Sequence, residues 1–160
     1  MRTFTALTFS ALLTFAALSS QATPQEERGN VTGPMAHEPY DQAIAPYVAK
    51  ARATYPAAKK RFLAGLPRNY TFFVWTRLYQ SLGKGKGARA EDVFIEPNAI
   101  KDGLVIGVIA NSPIYVTNYR QGEAVKFPES RVMNWVIQRP DGTEEGNYVG
   151  QFLERWKKHH

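Results

Sequence analysis

The sequence predicts an α+β fold, with helices and strands in separate parts of one domain. Two observations lead to this prediction: a segment rich in Ala, Lys and Arg comes first, and shorter segments of alternating polarity follow it. A short amphipathic segment closes the chain. We therefore expect an N-terminal helix or helix pair, about five short antiparallel strands forming a bent sheet or small open barrel, and a short C-terminal helix.

The helical segment spans residues 41–66, where apolar side chains recur with the spacing of one helix face. The run Thr54, Tyr55 and Pro56 predicts a break, because proline lacks the N–H that an interior helix position donates. Gly65 followed by Pro67 predicts the end of the segment. The sequence thus predicts two short helices or one kinked helix.

From Asn69 onward the apolar period changes to two, and β-branched and aromatic residues dominate, which is typical of strands. Asp102 and Gly103 predict a tight hairpin, because Asp-Gly favours the positive φ that such a turn needs. For the short segment at Tyr115 and Val116, the sequence does not distinguish a strand from a loop. The apolar spacing of residues 148–158 predicts the C-terminal helix. The five predicted strands cover residues 69–79, 92–97, 104–110, 122–127 and 131–138.

Residues 1–22 have the three parts of a secretory signal peptide. Arg2 supplies a positive start, a short apolar stretch follows, and small residues precede a cleavage site after Ala22. The apolar stretch is shorter than the roughly 20 residues that a membrane span needs. We therefore expect a protein of the periplasm or the secreted fraction, without a transmembrane segment in the mature chain. Residues 23–40 predict a flexible lead, and residues 41–160 predict a single folded domain.

The composition excludes several classes of chemistry. The chain has no Cys, which excludes a disulfide framework, a cysteine nucleophile and a Cys-ligated zinc site. The three histidines, His37, His159 and His160, lie near the two ends, away from the predicted core. No serine stands in a Gly-x-Ser-x-Gly motif. The sequence therefore predicts no catalytic residue, no metal site and no cofactor.

Basic side chains are the first candidates for a binding surface. The formal net charge is +6, and Lys84, Lys86 and Arg89 cluster in and beside a Gly-rich loop. Aromatic residues such as Trp75 precede this loop, and aromatic strands beside basic loops bind anionic chains. Export makes a nucleic acid an unlikely ligand and favours an anionic envelope polymer or a protein. Alternatively, the basic side chains form a solvated positive surface that binds nothing, and the aromatic side chains pack in the core.

Asparagine and tryptophan side chains are the second candidates. Asn111 and Pro113 follow an apolar strand, and Asn134 and Trp135 lie within a later one. Tryptophan is common at binding hot spots. The alternative places Asn111 at a strand end as a cap and Trp135 in the core. Alternation then directs Asn134 outward or into a polar site.

Four short motifs follow one another in a fixed order: Gly107 to Pro113, Gly122 to Val125, Val132 to Ile137 and Gly146 to Tyr148. On these motifs, residues 92–152 resemble the YegJ-like family of bacterial proteins, which is known as a domain of unknown function. The sequence departs from that family at Asn134, where the family tends to have Asp, and at Phe94, where it tends to have Trp. The resemblance implies a fold and a bacterial origin, and it implies no reaction.

These observations together predict an exported binding module that does not catalyse a reaction, with a protein partner in the periplasm. Its small size and its compartment suggest an inhibitor or immunity role. Two alternatives remain at this point. One is a small envelope hydrolase that uses carboxylates on the strand from Asp92 to Glu96, which Glu91→Gln and Glu96→Gln variants would test. The other is a binder of anionic envelope polymers through Lys84, Lys86 and Arg89.

Overall fold

The computed structural model describes residues 38–159, which form two helices and one six-stranded sheet. The α+β prediction is therefore confirmed. The predicted signal peptide and the lead as far as residue 37 lie outside the described residues, whereas residues 38–40 belong to the first helix and not to the lead. The elements are α1 (Glu38–Ala64), β1 (Thr71–Ser81), β2 (Ala88–Lys101), β3 (Leu104–Ile109), β4 (Ala124–Pro128), a 3-10 turn (Glu129–Arg131), β5 (Asn134–Gln138), β6 (Glu144–Gly146) and α2 (Tyr148–His159).

Helix α1 is continuous through Pro56, so of the two predicted alternatives a single helix is observed and the pair of short helices is wrong. An interior proline costs a helix about 3 kcal/mol, since it removes one backbone hydrogen bond and crowds the preceding turn. Here Ala51 before the expected break, Tyr55 within it and Ala58 after it are all buried against the sheet. Tertiary burial of this kind outweighs local propensity in most protein helices. The helix ends as predicted, because Gly65 adopts a φ of +92°, which glycine reaches without steric cost.

The sheet is open and antiparallel, with strand order β4-β3-β2-β1-β5-β6. Six strands replace the five expected, because β6 spans only Glu144–Gly146 and is too short to show alternation in the sequence. The undecided piece at Tyr115 and Val116 belongs to a loop between β3 and β4. The predicted hairpin between β2 and β3 is confirmed, with φ of +53° at Asp102 and +71° at Gly103.

Two cores lie on opposite faces of the sheet, because successive side chains of β1 point in opposite directions. In the first core, Val74 of β1 packs in a cluster with Tyr55 of α1. In the second core, Trp75 packs in a cluster with Ile44 of α1 and Val149 of α2. The N-terminal half of α1 thus belongs to the second core and its C-terminal half to the first. A stack of Tyr47 on Phe152, with ring centroids 4.4 Å apart, joins the two helices.

Candidate functional site

A buried carboxylate shapes the loop between β3 and β4, which we call the anchored loop (residues 110–123). Glu91 of β2 is 5% exposed. Its carboxylate accepts backbone N–H bonds from Ile114 at 2.8 and 2.9 Å, from Tyr115 at 2.7 Å and from Val116 at 3.1 Å. Successive backbone amides that converge in this way form a concave anion-binding turn. The side chain of Val116 is fully buried in the first core, which holds the loop from its other side.

The same turn displays two apolar side chains to solvent. Ile114 is 72% exposed and Tyr115 is 38% exposed. The described residues include three other exposed large apolar side chains, Leu63, Tyr79 and Trp156, and Ile114 is the most exposed of all five. Adjacent apolar residues held out by a buried anchor are the arrangement expected of a contact surface for another molecule.

The turn between β1 and β2 lies beside this surface and carries the basic cluster predicted from the sequence. Thr117 of the anchored loop donates its backbone N–H to the side chain of Gln80 at 2.9 Å. Arg89 faces Gln80 across the β1–β2 pair, so its side chain lies on the face that the loop covers. Lys84, Lys86 and Arg89 are exposed, and within residues 38–159 none of them forms a salt bridge.

Asn111 and Pro113 begin the anchored loop and position it. The Asn111 side chain accepts the backbone N–H of Phe94 at 2.8 Å, and the backbone N–H of Ala110 donates to the carbonyl of Phe94 at the same distance. Asn111 therefore caps the end of β3, as its structural interpretation predicts. Both Asn111 and Pro113 are half-buried, and Ile114 follows them directly.

The other tryptophan and asparagine candidates lie in the cores and not at the surface. Trp135 is 3% exposed and donates its ring N–H to the Ala51 carbonyl and the Thr54 hydroxyl. Asn134 is fully buried and donates to Asn147 at 3.1 Å, so of its two predicted orientations it points into a buried polar contact and does not face outward. Trp75 is 8% exposed and pairs with Asn134 across the neighbouring strands β1 and β5. The burial of these three side chains favours a packing role over a binding role.

The neighbouring carboxylate of β2 serves a different purpose. The Asp92 side chain is 1% exposed and accepts two bonds from the Arg77 guanidinium, at 2.6 and 3.0 Å. The Tyr40 hydroxyl donates to the same carboxylate at 3.1 Å. The Nη1 atom of Arg77 also lies 2.8 Å from the Oδ1 atom of Asp41, with which it forms a salt bridge. Burial raises the pKa of the Tyr40 hydroxyl, and the charge of Asp92 raises it further. This cluster ties the start of α1 to the sheet.

The distribution of carboxylates decides what chemistry the arrangement supports. Glu91 and Asp92 point to opposite faces of the sheet, and each is committed to the contacts just described. Glu96 is exposed and also lies on the face opposite Glu91. Within the described residues no group of His, Asp and Glu is arranged to hold a metal ion. No helix among residues 38–159 is long and apolar enough to cross a bilayer.

Sequence reasoning missed Ile114, Tyr115 and the anchoring role of Glu91. The loop has neither helical nor strand periodicity, and Glu91 lies 23 residues before the first amide that it binds. One signal was available for the Asp92 cluster. Arg77 stands between Trp75 and Tyr79 in a strand of apolar and aromatic residues, and a charge at such a position requires a buried partner.

The comparisons with known proteins return one family. A family model described as an uncharacterized protein conserved in bacteria (DUF2314) matches residues 41–156, which extend from the first turns of α1 into the last turns of α2. No curated protein and no solved structure matches the chain. The prediction of an uncharacterised bacterial family is confirmed.

Proposed function

The chain belongs to this uncharacterised bacterial family, DUF2314, and on that premise we propose that it is an exported binding module without catalytic activity. Its partner is a protein in the periplasm, and its role is that of an inhibitor or immunity protein. The observation that carries the proposal is the anchored loop, in which the buried carboxylate of Glu91 holds Ile114 and Tyr115 out into solvent.

The anchored loop has the properties of a preorganised contact surface. An apolar side chain that is already held in its bound position loses little conformational entropy on binding. Ile114 and Tyr115 supply apolar and aromatic area, and the basic side chains beside them, such as Arg89, supply a polar rim. The net charge of +6 favours a partner whose surface is acidic around an apolar pocket.

Affinity capture from periplasmic extract tests the proposal. The protein is immobilised as wild type, as an Ile114→Ser/Tyr115→Ser variant and as a Leu63→Ser control, in which a side chain 56% exposed on α1 is altered. We expect one protein to be retained at high salt by the wild type and by the control. The double variant should bind it at least about tenfold more weakly, since two central contacts are lost. If all three immobilised proteins retained the same amount of this partner, the contact surface would not include Ile114 and Tyr115.

Binding of an anionic envelope polymer is the second candidate, and the exposed Lys84, Lys86 and Arg89 favour it. Binding through exposed charges weakens steeply as ionic strength rises, whereas an apolar contact persists. A Lys84→Gln/Lys86→Gln/Arg89→Gln variant that abolishes retention, together with release of the wild type by salt, would support the polymer. Retention by this variant at high salt would support the protein partner.

The hydrolase alternative has no comparable support, because Glu91 and Asp92 are both committed to structural contacts. Glu91→Gln and Glu96→Gln variants that behave as the wild type in hydrolysis assays would remove it. Export is tested by mass spectrometry of the periplasmic fraction, where we expect a mature N-terminus at Thr23.

A further inference from the structure

A cavity of about 350 Å³ lies between α1 and the 3-10 turn, and the proposed function does not use it. Its lining includes both charged and hydroxyl-bearing side chains. A volume of this size accommodates a small molecule or one to two residues of a peptide. The lining residues are Arg52, Tyr55, Glu129, Ser130 and Val132.

Arg52 provides the cation at this cavity. Its Nε donates to the carbonyl oxygen of Val132 at 2.9 Å, which fixes the plane of the guanidinium. Its two terminal nitrogens have no hydrogen-bond partner among the residues that the structure describes. A guanidinium held in this way offers two parallel N–H donors, the geometry that a carboxylate accepts.

Tyr55 adds a second polar group at the cavity wall. The residue is 7% exposed, and its hydroxyl has no hydrogen-bond partner within the described part of the chain. A buried hydroxyl without a partner is costly, so its presence calls for an explanation. Burial raises the pKa of this hydroxyl, and the adjacent Glu129 carboxylate raises it further both by its charge and as a nearby acceptor, so the hydroxyl stays protonated and able to donate.

Glu129 sets the charge that the ligand must carry. Its carboxylate accepts two bonds from Lys59, at 2.6 and 2.8 Å, so these two charges offset each other. Arg52 then leaves the site with one positive charge in excess. A singly charged anion balances this charge, whereas a dianion such as phosphate brings one negative charge more than the site offsets.

We propose that this cavity binds a monocarboxylate, either a small organic acid or the carboxyl terminus of a peptide, with Arg52 as the principal donor. The test is an NMR titration of the ¹⁵N-labelled protein with acetate, with N-acetyl-alanyl-alanine and with the amide of that dipeptide. We expect saturable shifts with millimolar affinity near residues 52–59 and 129–132 from the free acids only. Acetate alone would identify a small acid as the ligand, and tighter binding of the dipeptide would identify a peptide terminus.

Variants separate a built site from diffuse charge. Arg52→Gln should weaken binding about tenfold or more, because a charge-assisted bidentate contact is lost. Lys60→Gln removes the same charge from an exposed neighbour on α1 and should leave binding unchanged. Tyr55→Phe should weaken binding severalfold, because the hydroxyl at the cavity wall is lost. Equal binding of the amide, no saturable shift, or equal losses in the Arg52 and Lys60 variants would overturn the proposal.

Discussion

Glu91 and Asp92 are neighbours on β2, and the protein buries them by two different means. The Glu91 carboxylate faces the anchored loop and is met by backbone N–H groups. The Asp92 carboxylate faces the start of α1 and is met by side chains, those of Arg77 and Tyr40. The first arrangement sets the shape of a loop, and the second attaches a helix to the sheet.

The difference determines how each region responds to mutation. A side-chain substitution other than one to proline leaves a backbone donor in place, so a change at Glu91 itself is the direct way to break the loop anchor. The Asp92 cluster, by contrast, depends on side-chain partners, and replacement of Arg77 leaves the buried Asp92 charge uncompensated.

Replacement of Arg77 should have the largest effect on stability. Arg77→Met leaves the Asp92 carboxylate buried without a counter-charge, and we expect the free energy of unfolding to fall by about 3–5 kcal/mol. Urea denaturation measures this loss. An Arg77→Met/Asp92→Leu double variant removes both charges and should recover part of the stability. A loss below about 1 kcal/mol in the single variant would show that water reaches Asp92 and screens it.

Replacement of Glu91 should have a smaller and more local effect. Glu91→Gln turns part of the acceptor group into a donor that faces other donors, which costs about 1–3 kcal/mol. We expect the amides of Ile114, Tyr115 and Val116 to exchange with solvent faster, as measured by hydrogen exchange. Glu96→Gln, an exposed site on the same strand, is the matched control. Identical exchange in the two variants would contradict the anchor.

Replacement of Tyr40 tests the uncharged partner of Asp92. Tyr40→Phe removes one donor to a charged acceptor and should cost about 1.5 kcal/mol. Since the folded-state pKa of Tyr40 is raised, its contribution is fully present below the unfolded value of about 10 and is lost as the pH rises above it. Urea midpoints from about pH 9 to 11 should therefore fall more steeply for the wild type than for Tyr40→Phe. Parallel pH profiles would contradict this assignment.

Replacement of Asp41 should have the smallest effect. Its side chain is 47% exposed, so solvent screens its contact with Arg77. Asp41→Asn is expected to change the free energy of unfolding by no more than about 0.5 kcal/mol in urea denaturation. A loss as large as that of Tyr40→Phe would mean that Arg77 depends on both acids equally.

Elements that rest on neighbouring residues were predictable from the sequence. The α+β order, the end of α1 at Gly65, the turn at Asp102 and Gly103 and the C-terminal helix all follow from local spacing or turn chemistry. The same is true of the capping role of Asn111 and the burial of Trp135. Membership of an uncharacterised bacterial family was also within reach, since short motifs in a fixed order carry it.

Tertiary structure alone decided the rest. Helix α1 continues through Pro56 because burial of Ala51 and Tyr55 outweighs a local penalty. The display of Ile114 depends on Glu91, and the two meet only after β2 and β3 have paired in register. A single sequence shows which side chains lie near one another along the chain. Which amides surround a buried charge is decided by strand register and by packing, and neither leaves a local pattern.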